Sequence, residues 1–356
     1  MGKIAIGDNM NNEIDLSKYK IRTDLAIDEI DCIKQKIEGI DVETRQDKNI
    51  KITKVIVKEE GKKKINKNPG EYITIEFDDI TDFDNKELVK TSFTNELKKL
   101  MQSININENS TCLVIGLGNR RSTPDSLGPI TIDNIMVTKH LFDLESVSVE
   151  EGFRSVCAFS PGVMGETGIE TSEIILGIIN RIKPDFIIAI DALASQSINR
   201  VNKTIQMTDT GIHPGSGVGN ARKELNKETI GIPVIAIGVP TVVDAVTIVS
   251  DTINYIIKHF SYRTENINNP SSKLTPYINI KDKDIKELSK EQKEELMGLI
   301  GGLNESEIKQ LIFEVLTPMG YNLMVTPKEV DFIIEKLVDI ISKGINESLH
   351  RQVTPS

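Results

Sequence analysis

The chain has only three cysteines, Cys32, Cys112 and Cys157. Three cannot all pair, and two of them lie in apolar, strand-like runs, so buried thiols in a reducing compartment fit better than a disulfide framework. There is no Cys/His spacing of the metal-binding kind and no His-Glu-x-x-His, which removes the common zinc-protease signature. No Gly-x-Ser-x-Gly elbow surrounds Ser160 or Ser216, so a serine hydrolase of that kind is excluded. No run approaches the ~20 apolar residues of a membrane helix. The amino end, MGKIAIGDNMNNEIDL, lacks the apolar centre of a secretory signal. Basic charge is not in excess: the formal net charge is −10. An acidic chain is a poor direct partner for a nucleic-acid backbone. Tryptophan, internal repeats and extended low-complexity segments are absent. These absences predict a cytoplasmic protein that engages neither a membrane nor nucleic acid.

What is there is globular: 356 residues, 38% hydrophobic and 27% charged, enough for one large domain or two smaller ones. The organising stretch runs from Cys112 to Pro129. Cys112-Leu113-Val114-Ile115 reads as a buried strand. It breaks into Gly116-Leu117-Gly118-Asn119, where glycine permits a tight turn. Ser122-Thr123-Pro124-Asp125 then carries a helix-opening signal. Asp125 is thereby predicted at the carboxyl edge of a sheet, near the amino end of a helix, where open α/β sheets place their chemistry. A second apolar strand, 185–190, ends in Asp191. Alone, Asp125 reads equally well as a helix-capping acid and Asp191 as a loop acid. Together, beside the glycine loop, they favour a functional pair.

The rest of the chain alternates. A helix is predicted from Leu25 to Gly39, a hairpin from strands 51–58 and 72–76, and a helix over 85–104. The lysines at 62–64 read as a solvated turn, because acids flank them. From Cys112 onward strands alternate with helices: a helix over 130–141, strand 154–159, helix 170–182, the strand to Asp191, a short edge strand 204–207, strand 233–238, and a helix over 242–259. That order implies an α/β fold with a mostly parallel sheet covered on both faces. Beyond Phe260 the composition shifts to a polar linker and then helical patterns over 284–344, with Thr326 as a cap before Pro327.

Two carboxylates can hydrolyse a peptide bond through water, one taking a proton and the other giving one. Asp125 and Asp191 are the candidates. The backbone amides of Gly116, Gly118 and Asn119, and of the loop around Gly215, are candidates to hold an oxyanion or a substrate backbone. Such loops also serve any tight turn. His213 is a candidate base or metal ligand, although a lone loop histidine is more often structural. Glu166, after a glycine-rich turn, is a candidate to line the same cleft. Asp209-Thr210-Gly211 spells the pepsin triplet once, which reads as chance. Gly116-x-Gly118 after a strand also suggests a dinucleotide site. That alternative fails at Arg121, which stands where the third glycine belongs.

Five stretches resemble the germination proteases of spore-forming bacteria: GLGNRRSTPDSLGP (116–129), PGVMGETGIET (161–171), IAIDALA (188–194), GIHPGSGVGN (211–220) and IPVIAIGVPTVVDA (232–245). Tyr19 to Ala26 and Thr317 to Tyr321 extend the resemblance over nearly the whole chain. It implies an endopeptidase that starts the degradation of small acid-soluble spore proteins in the spore core. It also implies an atypical aspartic-type mechanism on Asp125 and Asp191, a homotetramer, no cofactor, and a zymogen cut autocatalytically between Asp24 and Leu25. The implied layout is a propeptide 1–24, a peptidase core 25–265 that includes a hairpin and helix region 50–104, and a linker with helical extension, 266–356, packed on the core. More distantly, the Gly-x-Gly-Asn…Asp loop and the Ile-Asp-Ala strand end resemble hydrogenase-maturation proteases. That implies a three-layer α/β/α core, and as an alternative a divalent metal held by Asp125, Asp191 and His213 or Glu166.

Overall fold

The computed structural model describes residues 24–31, 37–144, 148–213, 224–266, 288–316 and 323–353. The chain divides into two compact units. The larger takes Arg22–Asp244 and Met324–Ser356, and the described residues of the smaller lie within Ala245–Leu323. In the smaller unit the helices Ala245–Glu265 and Glu305–Leu316 pack on each other, while Lys290–Met297 is started by a capping box between Ser289 and Gln292.

The larger unit is built on a nine-stranded sheet. Its strands are β1 (Ile40–Asp47), β2 (Ile50–Val57), β3 (Gly70–Glu76), β4 (Cys112–Gly116), β5 (Val156–Phe159), β6 (Phe186–Ser195), β7 (Thr204–Thr208), β8 (Val234–Asp244) and β9 (Met324–Val325). The order is β1-β2-β3-β7-β8-β6-β4-β5, with β9 beside β8. The α/β class is as expected, and the sheet is mixed. β5, β4, β6 and β8 run parallel, while β1, β2, β3 and β7 pair antiparallel and join through β7 to β8.

Both faces carry helices, so the parallel strands begin as continuous apolar runs. On one face Phe186, Ile188 and Ile190 of β6 lie with Ile235 and Ile237 of β8, Ile205 and Met207 of β7, and Ile73 and Ile75 of β3. Phe93, Leu97 and Leu100 of the helix Phe83–Ser103, and Leu337, Ile341 and Ile345 of the helix Val330–Leu349, complete that cluster. Gly344 is what lets the two helices approach, since a Cβ there would strike the Phe93 ring. On the opposite face Leu113, Ile115, Ile187 and Ala189 pack under Ile175 and Ile179 of the helix Thr171–Ile182.

Several local expectations are corrected. β7 is not an edge, because β3 and β8 bond it on both sides. β8 runs on to Asp244, where a helix was expected from Val242; past a register shift at Leu193/Ala194, Val242 and Val243 still pair with β6. The helix expected over 130–141 is two short ones, Leu127–Ile132 and Lys139–Phe142. Between them Thr138 donates its N–H to Val156 O at 2.9 Å, and its hydroxyl accepts from Val156 N–H at 3.0 Å, tying the chain to β5. Thr326 does not cap: its hydroxyl donates to Thr241 O at 2.8 Å, and the last helix begins after Glu329. β1 was not foreseen, and Lys62–Ile65 is a short helix whose lysines are exposed.

Candidate active site

Asp125 closes a 3-10 turn, Thr123–Asp125, that opens into the helix Leu127–Ile132. The turn folds back on the glycine loop. Asn119 N–H donates to both the Oδ2 and the carbonyl oxygen of Asp125, at 2.9 and 3.0 Å. Asn119 Oδ1 in turn accepts from Arg121 N–H at 2.8 Å. Gly118 adopts φ +110°, and a side chain there would strike the Asp125 carbonyl oxygen, so glycine is required on both counts. Leu117 N–H donates to Ile190 O at 2.8 Å. The amides of Leu117 and Asn119 are therefore committed to internal acceptors. Thr241 Oγ1 donates to Pro124 O at 2.6 Å, fixing the turn from the β8 side.

Asp191 follows Ile190 directly and is buried at 6% exposure; β6 was expected to end there but runs on to Ser195, still paired with β8, so the acid lies in the middle of the strand. Its Oδ1 accepts from Ala192 N–H at 2.9 Å. The Thr123–Asp125 turn packs against both β6 and β8. The Leu117 bond to Ile190 and the close approach of Gly128 to Ile190 O hold the Asp125 loop to β6 at the residue before Asp191. The site thus has one buried carboxyl within β6 and one half-buried carboxyl on the turn that packs against that strand.

The other candidates have ion-pair partners of their own. Glu166 is exposed on the short helix Met164–Thr167 and pairs with Arg121 Nε at 3.3 Å. His213 is half exposed and pairs with Glu224, just beyond the bridge between Ile212 and Leu225. Gly215 and its loop lie outside the described residues, as do Thr317 to Tyr321 and Cys32. Among the described residues no group of three His, Cys, Asp or Glu side chains is placed to hold a metal ion. Asp209 is structural: its Oδ1 accepts from Glu71 N–H at 2.8 Å, and burial pushes its carboxyl up. Burial likewise pushes the Cys112 and Cys157 thiols up, the state of an inert thiol.

Asp24 and Leu25, the expected processing bond, dock on the strand that carries Asp191. Asp24 N–H donates to Ala194 O at 3.2 Å, and Asp24 Oδ2 accepts from Ala194 N–H at 3.0 Å. Leu25 is fully buried and packs with Ile27 and Leu193. Asp28 accepts from Ser195 Oγ at 3.1 Å and Gln196 N–H at 2.8 Å, and pairs with Arg200. Arg200 also reaches Glu76 at 3.0 Å. Sequence reasoning did not single out Gln206, whose side chain also holds this segment. The available signal was a polar residue between Ile205 and Met207 in a short, wholly buried strand.

The family profile described as Germination protease matches residues 20–356. The chain is 52% identical to the germination protease of Geobacillus sp. (strain WCH70), with 97% of each chain covered. It is 50% identical to the germination proteases of Bacillus mycoides (strain KBAB4) and Bacillus anthracis (strain A0248), again over 97% of each. Among solved structures it is similar to a nickel–iron hydrogenase maturation protease from Thermococcus kodakarensis, at 18% identity and a TM-score of 0.25. That match covers 41% of this chain and 80% of the other.

Proposed function

The chain belongs to the germination protease family, and on that premise we propose that it is an endopeptidase whose water-activating pair is Asp125 and Asp191. One carboxylate takes a proton from water as its oxygen adds to the scissile carbonyl, and the other, protonated, gives one to the leaving amine. Two carboxyls acting on one water cannot both stay ionised, so in this reading they share one proton and divide the roles. The observation that carries this reading is the burial of Asp191 within β6, the strand against which the Asp125 turn packs. No helix among the described residues is long and apolar enough to cross a membrane.

The reading extends to a zymogen. The propeptide is residues 1–24, and cleavage between Asp24 and Leu25 activates the enzyme against small acid-soluble spore proteins in the spore core. The working form is a homotetramer, and residues 25–265 with the helical extension make up the peptidase. What supports the zymogen is that Asp24 and Leu25 lie against Ala194 and Leu193, three and two residues beyond Asp191 in the strand. The mechanism needs no cofactor. Residues that a metal-bound water would call on are engaged elsewhere, His213 with Glu224 and Glu166 with Arg121.

Incubation of the purified full-length chain tests this. Mass spectrometry should find a new amino end at Leu25, and only the cut form should degrade spore protein. Asp191→Asn protein should stay intact alone, and added processed wild type should trim it only if cutting can occur between molecules. A start elsewhere, or full activity in an uncut Asp24→Lys variant, would sink the zymogen. Exhaustive chelation should leave activity unchanged; activity lost with a stoichiometric metal would replace the bare pair with a metal-assisted one.

A further inference from the structure

Gln206 sits at the centre of β7 with its side chain buried. A polar group that deep requires hydrogen-bond partners, and this one finds them on the amino-terminal segment. Its Nε2 donates to the carbonyl oxygen of Asp24 at 3.2 Å, and its Oε1 accepts from Ala26 N–H at 2.8 Å. The Asp24 carbonyl is half of the peptide bond to Leu25. The amide therefore spans that bond, with its donor on the oxygen that would gain charge during hydrolysis. The Ala194 contacts hold Asp24 from the other side, and buried Leu25 rests on Leu193.

The sheet relates this amide to the buried acid. Asp191 is opposite Gly238 in the β6–β8 register, and Gly238 is opposite Gln206 in the β7–β8 register. Acid and amide thus share one row and one face, two strand spacings or ~10 Å apart at the backbone. Gly238, between them, has no side chain, and Leu193 fills the space above it. The same Leu193 touches Leu25. The bond held by Gln206 therefore lies over the row that contains Asp191.

We propose that Gln206 is a catalytic residue of the peptidase, the side chain that holds the carbonyl of the bond to be cut, first in its own Asp24–Leu25 linkage and then in a protein substrate. The inference rests on the peptidase reading above. In the step, water oxygen adds to the carbonyl carbon and the C–N bond breaks. One water hydrogen remains with the new carboxyl group and the other goes to the new amine. Gln206 is unchanged throughout; its N–H bond to the carbonyl oxygen tightens as that oxygen becomes anionic. Losing one such donor lowers kcat by about a hundredfold to a thousandfold in hydrolases.

Two full-length variants test it. Gln206→Glu keeps the size and the acceptor for Ala26 but loses the donor, and Gln206→Met keeps only the length. Appearance of the Leu25 end is timed by mass spectrometry. The same variants, made to begin at Leu25, are assayed on a peptide with an acidic residue before an aliphatic residue and Ala. Processing and peptide kcat should each fall about a hundredfold for Gln206→Glu, with KM changed by less than about threefold. Its thermal midpoint should stay close to wild type. A side chain that merely anchors the segment would lower the midpoint and leave kcat alone. Processing and kcat within about threefold of wild type, with wild type cutting normally, overturn the role of Gln206 alone. A wild-type chain that never cuts overturns both this role and the peptidase reading.

Discussion

On one face of the sheet Phe186, Ile188 and Ile190 of β6 continue into Ile235, Ile237 and Val239 of β8, sealed by two long helices. On the other face the same strand begins alike, with Ile187 and Ala189 under the helix Thr171–Ile182, and then presents Asp191. Its row continues through Gly238 to Gln206 and Thr74, all on β-strands whose next residues are apolar on the opposite side. Strand alternation makes this division sharp, because neighbouring residues point to opposite faces. The first face holds the fold together, and the second exchanges apolar packing for carboxyl, amide and backbone groups from the middle of β6 onward. A change on one face should therefore move stability and a change on the other should move chemistry.

The largest test of that separation is chemical. Asp125→Asn and Asp191→Asn keep shape and lose proton handling, so each should lower peptide hydrolysis by about 10² to 10⁴ while the melting midpoint stays near wild type. Unfolding of either variant would break the comparison. The opposite face is tested by Phe93→Ala. That ring is wholly buried against the helix Val330–Leu349, and its loss should cost about 3–5 kcal/mol in denaturant unfolding. Activity per folded molecule should not change; a matching loss of kcat would show that the faces are coupled.

A smaller effect sharpens the boundary between them. Gly118→Ala forces a side chain onto the Asp125 carbonyl at φ +110°. It should cost about 1–3 kcal/mol through backbone strain, and activity should fall as well, because Asp125 is displaced. Equal stability with full activity would mean that the turn is not held as described. The smallest effect belongs to the closing segment of the chain. Burial holds the His350 imidazole below its ordinary value, the Arg154 charge acts in the same direction, and the bond to Met136 O opposes them. The unfolded chain takes up a proton near pH 6.5 while the folded chain resists it, so stability is present above about pH 6.5 and is lost as pH falls below it. The melting midpoint should decline on acidification, and His350→Gln should make that decline shallower.

Much of the first face was legible, because runs such as Cys112–Ile115 and Phe186–Ile190 are apolar on both sides. Asp125 and Asp191 stood out as acids following those runs, although β6 carries on past Asp191 to Ser195. β1 was not legible: in Ile40–Asp47 only the first residue is buried, so the period of two carries no apolar signal. The inner place of β7 was hidden because five residues cannot reveal which strands bond them. Gln206 was hidden for a different reason. Its partners lie about 180 residues away in sequence, and only the folded chain brings Asp24 and Ala26 to it.

The most direct test of the central claim is a double-mutant cycle on the two carboxyls, reading kcat/KM on one peptide for Asp125→Asn, Asp191→Asn and the double variant. If the pair works as one unit, either single substitution should cost nearly as much as both together. Single losses that multiply in the double variant, or either single variant within about tenfold of wild type, which is ~1.4 kcal/mol of barrier, would contradict a shared role for Asp125 and Asp191.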